Sequence, residues 1–373
     1  MKRAGIVCIL FLAVCGSAAL ILSCGGGGGD GSGRPEARIF AFVTNYGSEN
    51  ISAYLLSSQS GVLTEVSGSP YATSSGPDGL ASTPDGRYIF VANSNDNNVS
   101  AFSVDADTGQ LSEVPGSPFT TGPFPVRPAV EPSGRYLYVA NLGTPTLSGY
   151  AISAATGVLT ALSGSPFAVS YDHYDLLFHP DRPFIFLANH GNDTISAYAI
   201  SVSTGVLTSV PGSPFAGSDY PLSLAMDPAG RYLYAANWNS GTLAGYAISS
   251  STGALSPVPG SPFTVTSNPR SMTVHPSGDW LYAGVWNNNV NSFAIDDPTG
   301  TLSALPGSPF ASSQWIFDVA MDPEGRYLGV VSNLDDVINV FQVNQSAGTL
   351  SQVPQSPFAA GTDPYSIIFV EMQ

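Results

Sequence analysis

The sequence has almost no cysteine, no lysine after Lys2 and no long apolar run after Leu22. Two of its three cysteines, Cys8 and Cys15, lie in the apolar N-terminal segment, so that only Cys24 follows it. A single cysteine excludes a disulfide framework within the chain and a cysteine metal site. No nucleotide-binding loop, zinc-ligand spacing or serine-nucleophile elbow occurs, which removes those enzyme classes.

Basic residues are scarce, with 11 Lys and Arg against 27 Asp and Glu and a formal net charge of -16. Loss of the two positive charges of Lys2 and Arg3 with the N-terminal segment changes -16 to -18. Nucleic acids and anionic lipid surfaces repel a chain of this charge. We therefore expect no nucleic-acid partner.

Residues 1–23 have the pattern of a signal peptide, because Lys2 and Arg3 precede an apolar run from Ala4 to Leu22. The segment Ile21-Leu22-Ser23-Cys24 resembles a bacterial lipobox, whose cysteine is lipidated and becomes the mature N-terminus. An ordinary secretory signal with an incidental cysteine is the alternative. A lipid at Cys24 would hold the protein at a membrane, since each buried methylene contributes about 0.8 kcal/mol.

Residues 24–37 form a tether, in which Gly25 to Gly33 contribute almost no side chains to a core. The sequence thus predicts a lipid-anchored protein of the cell envelope. Gly25 stands where an aspartate marks inner-membrane retention in some Gram-negative bacteria. We therefore expect the outer membrane or the cell surface rather than the inner membrane.

A Gly-Ser-Pro-Phe motif recurs seven times after the tether, with Tyr71 in place of phenylalanine once and Gln355 in place of glycine once. Its serines are spaced by 47 or 48 residues, at Ser69, Ser117, Ser165, Ser213, Ser261, Ser308 and Ser356. A fixed period of this length is typical of propellers and other repeat architectures.

Each period contains four short apolar stretches rich in Val, Ile, Tyr and Phe and bounded by turn residues. In the second period they are Gly79 to Thr83, Arg87 to Asn93, Val99 to Val104 and Gly109 to Val114. No stretch after the tether has a convincing helical period. The pattern predicts an all-β, seven-bladed β-propeller over residues 38–373, with four-stranded antiparallel blades.

The two ends of the repeat region indicate how the ring closes. The chain enters at a second strand, Ile39 to Asn45, and finishes on a lone first strand, Ser366 to Val370. We expect the C-terminal strand to complete the N-terminal blade, because this pairing removes both open edges.

Residues that recur in every blade are interpreted as scaffold. The asparagines that follow strands are interpreted as turn residues bonded to local backbone: Asn45, Asn93, Asn141, Asn189, Asn237, Asn287 and Asn333. The arginines Arg87, Arg135, Arg231 and Arg326 each open a strand after a Pro-x-Gly turn and receive the same interpretation.

Residues that differ between blades are the functional candidates, and they lie where each inner strand begins, at the mouth of the central channel. His173 replaces a proline of the other repeats, and with Asp175, Arg127 and Arg270 it forms the predicted catalytic set. The predicted ligand-binding residues are Asp78, Tyr174, Trp315, Asp318 and Tyr365. A solvated loop rim, or aromatic side chains that plug the channel, are the alternatives.

The segments Phe42-Val43-Thr44-Asn45 and Tyr138-Val139-Ala140-Asn141 resemble the YVTN repeat, and the turn from Asp227 to Tyr232 is similar to turns of the same proteins. Together they resemble the β-propeller lactonase family, which includes 6-phosphogluconolactonase. This resemblance implies lactone hydrolysis, in which His173 or Asp175 activates water and Arg127 or Arg270 holds an anionic substrate.

Family enzymes carry a histidine after a Pro-Arg pair and a glutamate at the end of the next strand, where this chain has Ser271 and Trp286. We therefore favour a non-catalytic, monomeric envelope module that binds a protein, glycan or small ligand at the channel mouth. A divergent lactonase is the alternative. We expect no cofactor; Ca²⁺ held by Asp78, Asp175 and Asp318 is a third option without a supporting motif.

Overall fold

The computed structural model describes residues 38–169, 173–217 and 219–372, which form 35 β-strands in seven antiparallel sheets. The predicted signal peptide, Cys24 and the tether lie outside these residues. Within the described part of the chain, no helix has the length and apolar character needed to cross a membrane.

Each sheet is one blade, and the strands follow one another along the chain. Blade 1 has β1 (Arg38–Asn45), β2 (Asn50–Leu56), β3 (Leu63–Glu65) and β4 (Tyr71–Ala72). Blade 2 has β5 (Pro77–Ser82), β6 (Tyr88–Asn93), β7 (Asn98–Val104), β8 (Leu111–Glu113) and β9 (Phe119–Thr120). Blade 3 has β10 (Pro125–Val130), β11 (Tyr136–Asn141), β12 (Thr146–Ile152), β13 (Leu159–Ala161) and β14 (Phe167–Ala168). Blade 4 has β15 (His173–Phe178), β16 (Phe184–Asn189), β17 (Thr194–Ile200), β18 (Leu207–Ser209) and β19 (Phe215–Ala216).

The remaining blades repeat this order. Blade 5 has β20 (Pro221–Met226), β21 (Tyr232–Asn237), β22 (Thr242–Ile248), β23 (Leu255–Pro257) and β24 (Phe263–Thr264). Blade 6 has β25 (Pro269–Val274), β26 (Trp280–Val285), β27 (Asn289–Ile295), β28 (Leu302–Ala304) and β29 (Phe310–Ala311). Blade 7 has β30 (Ile316–Met321), β31 (Tyr327–Ser332), β32 (Val337–Val343), β33 (Leu350–Gln352) and β34 (Phe358–Ala359). The last strand is β35 (Pro364–Met372).

The predicted ring closure is confirmed, because β35 pairs antiparallel with β1 and becomes the inner strand of blade 1. The register joins Arg38 to Met372 at one end and Val43 to Ile367 near the other. The seven-bladed propeller with four-stranded antiparallel blades is therefore confirmed. A fifth, two-residue strand that pairs with the third strand of each blade was not predicted.

The hydrophobic cores lie between blades. In one cluster Ile39 and Tyr54 of blade 1 pack with Tyr327 and Ile338 of blade 7, and each of the other clusters likewise joins two adjacent blades. A blade therefore buries its apolar faces only against its neighbours, as in other repeat architectures.

The Gly-Ser-Pro-Phe motif is hydrogen-bonded to the third strand of its own blade. The Ser117 hydroxyl accepts a hydrogen bond of 3.0 Å from the backbone N–H of Ala101 on the third strand, and the other six motif serines accept the equivalent bond. The motif glycine has a left-handed φ, 87° at Gly116, which glycine adopts without steric cost. Gln355 replaces it in blade 7 with a φ of 71°.

The interpretation of the asparagines as scaffold needs two corrections. Asn93 donates to the side chains of Asn98 and Ser100 on the next strand, not to local backbone. The equivalent positions in blades 6 and 7 are Val285 and Ser332, which pair with Pro269 and Ile316, rather than Asn287 and Asn333. The error arose because Val285 and Ser332 replace the asparagine in these two blades, and Asn287 and Asn333 are nearby asparagines of the following loops.

Candidate functional site: the channel mouth

One face of the ring, here called the mouth face, carries the loops from second to third strands and the links between blades. Near this face every inner strand shifts register against its neighbour, for example between Pro269 and Ser271. Such a β-bulge leaves one residue unpaired and re-aims its side chain. The unpaired residues of six blades are Val126, Tyr174, Leu222, Arg270, Phe317 and Tyr365.

Arg270 closes the channel at the level of these bulges. Its Nη2 donates to the hydroxyls of Tyr174 and Tyr365, each at 3.0 Å, and these hydroxyls lie 3.2 Å apart. The guanidinium carbon lies 3.8 Å from the ring centroid of Phe317, a cation–π contact. These four residues come from blades 6, 4, 1 and 7, so the predicted alternative of an aromatic plug describes their arrangement.

Arg127 follows the bulge residue Val126 on β10 and forms a second set of contacts across the channel. Its Nη1 donates to the Ser366 hydroxyl at 2.9 Å and lies 3.5 Å from Oδ2 of Asp318. Burial disfavours the charged guanidinium, but Asp318, Asp175 and Asp78 outweigh burial, so that the pKa of Arg127 lies above its ordinary value. Arg127 is therefore positively charged where the inner strands follow their bulges.

Asp318 is held by donors from two neighbouring blades. Its Oδ1 accepts from the Ser271 hydroxyl at 2.6 Å, and its Oδ2 accepts from the Ser366 hydroxyl at 2.6 Å and the Ile367 N–H at 3.1 Å. Asp175 is held similarly, since its carboxylate accepts the N–H groups of Leu176 and Leu224. Burial raises the pKa of Asp175, against the lowering effect of Arg127.

Asp78 differs from the other two carboxylates. It is 3% exposed, and its Oδ1 is buried without a hydrogen-bond partner. Burial raises the pKa of Asp78 to about 7, while the charges of Arg127 and Arg270 act in the opposite direction. A buried polar atom without a partner is unusual in a native structure and often marks a functional position.

His173 does not join this group of charged side chains. It is fully buried, and its Nε2 lies 3.0 Å from the carbonyl oxygen of Thr146 on blade 3. The predicted catalytic set is therefore brought together only in part, as Arg127, Asp175 and Arg270.

The structure does not gather metal ligands at the axis. Within residues 38–169, 173–217 and 219–372, no three His, Cys, Asp or Glu side chains lie close enough together to hold a metal ion. Arg127 faces Asp78, Asp175 and Asp318, and Arg270 also acts on Asp78.

Three tryptophans, here called the tryptophan cluster, lie on the mouth face: Trp238, Trp286 and Trp315. Trp315 stacks on Trp286 with a centroid distance of 4.9 Å and an interplanar angle of 20°, and Trp238 meets Trp286 edge-on at 5.2 Å. Phe317 links the cluster to the plug, since it contacts both Trp286 and Tyr365. Trp315 remains 38% exposed.

Trp315 is held in an unfavourable backbone conformation. Its φ is 55°, as are those of its equivalents Phe124 (52°) and Tyr220 (56°), whereas blade 2 has Gly76 at this position. The left-handed region costs a non-glycine residue about 1–2 kcal/mol. The Trp315 carbonyl accepts a 3.0 Å bond from the Asn333 N–H, which fixes this turn. The same left-handed turn also occurs at Asp363, so it is a feature of the repeat, and in blade 7 it presents an exposed tryptophan ring at the channel mouth.

The loops around the mouth are acidic. Within the described residues, the second-to-third strand loops and the links between blades contain no lysine or arginine. They contain seven carboxylates, here called the acidic rim: Glu49, Asp96, Asp193, Asp219, Asp335, Asp336 and Asp363. Several of them accept backbone N–H groups of the adjacent link, as Asp335 does from Gln314 at 2.7 Å.

Trp238 and Trp286 were not among the predicted site residues. They follow the second strands of blades 5 and 6, a position occupied in the other blades by Tyr46, Ser94, Leu142, His190 and Asn333. Their signal in the sequence is that this position differs from repeat to repeat.

These observations define a class: a seven-bladed propeller with a side-chain-closed channel and an aromatic mouth. The family model described as "Lactonase, 7-bladed beta-propeller" matches residues 36–128 and 171–264, half of the chain. The chain belongs to this lactonase family of seven-bladed propellers. No curated protein matches its sequence significantly.

Solved structures of similar shape include a putative 6-phosphogluconolactonase of Bacteroides uniformis, with 20% identity and a TM-score of 0.77 over 89% of this chain and 99% of that one. A putative 6-phosphogluconolactonase of Bacteroides fragilis has 19% identity and a TM-score of 0.78 over 91% and 99%. The periplasmic gluconolactonase PpgL of Pseudomonas aeruginosa has 20% identity and a TM-score of 0.74 over 90% and 99%. At these identities the likeness establishes the fold.

Proposed function

We propose that this protein is a ligand-binding propeller of the cell envelope that holds a sugar-like ring on the tryptophan cluster. The observation that carries the proposal is Trp315, which is stacked on Trp286 and still 38% exposed. Ligand sites typically combine aromatic walls with a few oriented polar groups. Asp335 lies close to this ring in the fold, since its carboxylate accepts the N–H of Gln314, the residue before Trp315, and a carboxylate has further acceptor sites for a sugar hydroxyl.

The channel below the cluster supports binding rather than catalysis. Arg270 is bonded to two tyrosine hydroxyls and covered by Phe317, and His173 is fully buried. Ser271 and Trp286 stand where related enzymes carry a histidine and a glutamate. Each residue of the predicted catalytic set therefore has partners within the protein: His173, Asp175, Arg127 and Arg270.

Tryptophan fluorescence tests this proposal. Glucono-1,5-lactone and other neutral sugar lactones should change the emission of the purified protein in a saturable manner. Trp315→Ala should weaken binding by about tenfold, a loss of about 1.4 kcal/mol. Phe124→Ala is the matched control, because Phe124 has the same backbone conformation on blade 3, away from the cluster. Equal loss in both variants, or no fluorescence change, contradicts the proposal.

The envelope location belongs to the same proposal and is supported by the sequence of residues 1–24. Cys24→Ala should move the protein from the membrane fraction to the soluble exported fraction, because the lipid is the predicted attachment. Detergent fractionation and fatty-acid labelling measure this change. Fatty-acid labelling of the Cys24→Ala variant would contradict the proposed lipid attachment. Recovery of the original protein in the inner membrane alone would contradict the proposed location.

Lactone hydrolysis is the second candidate, and Asp78 favours it. A carboxyl group whose pKa is about 7 suits a general base at neutral pH. In this scheme water adds to the lactone carbonyl carbon, Asp78 takes the water proton, the ring C–O bond breaks, and the proton passes to the leaving oxygen. Family membership and the likeness to solved lactonases also support it. Turnover above the spontaneous rate that Asp78→Asn abolishes would establish it.

A further inference from the structure

We infer that the mouth selects ligands without negative charge, so that a neutral sugar or sugar lactone binds and its phosphate ester is rejected. This inference rests on the proposed binding function and names its ligand class. It follows from the charges of the mouth face and from the partners of its two arginines.

Each of the two guanidinium groups near the mouth already has partners within the protein. Arg127 is bonded to Ser366 and paired with Asp318, and its Nε is buried without an acceptor, out of reach of a ligand. Arg270 donates to Tyr174 and Tyr365 and stacks on Phe317. A phosphate would have to compete with the two tyrosine hydroxyls for Nη2 of Arg270 and with Ser366 and Asp318 for Nη1 of Arg127.

The other arginines of the described residues are too far from the mouth to attract a phosphate there. Arg38, Arg87, Arg135, Arg182, Arg231 and Arg326 lie at the first-to-second strand turns or the start of second strands, on the face opposite the mouth. A propeller blade separates these two faces by the length of a strand. Charges at that distance are largely screened at physiological ionic strength, where the Debye length is about 8 Å.

The carboxylates of the acidic rim repel an anion that approaches the mouth. Asp335 and Asp336 lie in the loop that follows β31, next to the link that ends at Trp315, and Asp335 accepts the N–H of Gln314, the residue before Trp315. Asp363, in the next link, donates its N–H to Asp336. A phosphate on a ring stacked at Trp315 would therefore meet carboxylates on two adjacent loops without a compensating cation.

The test compares glucono-1,5-lactone with its 6-phosphate by stopped-flow tryptophan fluorescence, before either lactone hydrolyses. The neutral lactone should bind at least about tenfold more tightly, since contacts between like charges disfavour binding. The difference should narrow as salt is raised, because salt screens exposed charges. Inorganic phosphate should not displace the neutral lactone.

Charge removal on the rim provides the matched comparison. The double variant Asp335→Asn/Asp336→Asn keeps an acceptor oxygen for each backbone N–H and should reduce the preference for the neutral lactone several-fold. Asp85→Asn/Asp107→Asn, on the opposite face, should leave the preference unchanged. Tighter binding of the phosphate ester, or no effect of the rim variant, contradicts the inference alone. No response to either lactone contradicts the proposed function and the inference together.

Discussion

At the scale of single residues, Arg127 and Arg270 illustrate why side-chain roles depend on what meets across the axis. Both were predicted to hold an anionic substrate, since each departs from the scaffold pattern. In the structure Arg270 bonds tyrosines of blades 4 and 1, and Arg127 pairs with a carboxylate of blade 7. Repeat comparison identifies residues that converge at the mouth, but it does not determine which of them contact one another.

Asp78 gives the first prediction at this scale. Its folded pKa of about 7 is higher than the ordinary value of 3.8, so the folded state binds the proton more tightly than the unfolded chain. The stabilisation is complete below about pH 4 and is lost as the pH rises through about 7. Asp78→Asn should therefore be more stable than the original protein at pH 8, and this difference should shrink towards pH 5.

Urea unfolding at several pH values measures this difference. Asp107→Asn, which changes an exposed carboxylate, is the control and should show no comparable pH-dependent gain. A stability difference between Asp78→Asn and the original protein that does not vary with pH would mean that the pKa of Asp78 is not raised by burial.

At the scale of strands, the recurring motif and the bulges have different origins. The Gly-Ser-Pro-Phe motif was recognisable from sequence because its serine accepts the same backbone hydrogen bond in all seven blades and its glycine has the same left-handed φ in six of them. The bulge at the start of each inner strand was not predicted, because it depends on register against the next strand and leaves no fixed residue pattern. Yet this bulge is what turns Tyr174, Arg270 and Tyr365 towards the channel.

The motif serine can be tested in blade 2. Ser117→Ala removes the acceptor for the Ala101 N–H and should lower the free energy of unfolding by about 1–3 kcal/mol. Ser112→Ala, at an exposed position on β8, should change it by less than about 0.5 kcal/mol. Thermal or urea unfolding compares the two variants. Equal effects would exclude the proposed role of the motif hydroxyl.

At the scale of the whole molecule, ring closure was predictable because the chain begins and ends at complementary points of one repeat. The position of the cores between blades then makes each blade depend on its neighbours. The tryptophan cluster was predicted only through Trp315, since its other members follow second strands and were not compared between repeats. The fold could therefore be predicted from the sequence more completely than the side chains that lie on the mouth face.

Ile367 tests the cooperation between blades, because it is 2% exposed on β35 and packs in the core that joins blades 7 and 1. Ile367→Ala should destabilise the protein by about 2–5 kcal/mol while unfolding remains a single transition. Glu371→Ala, on the same strand but partly exposed, should have a much smaller effect. Two separate transitions in calorimetry would show that the closing blade melts independently.

Binding and turnover should be measured together, on one sample of the purified protein with glucono-1,5-lactone, beside Trp315→Ala and Asp78→Asn. We predict saturable tryptophan quenching that Trp315→Ala weakens, with lactone hydrolysis no faster than the spontaneous rate in any sample. Hydrolysis above that rate, lost in Asp78→Asn, would contradict a binding role and make the protein a divergent lactonase.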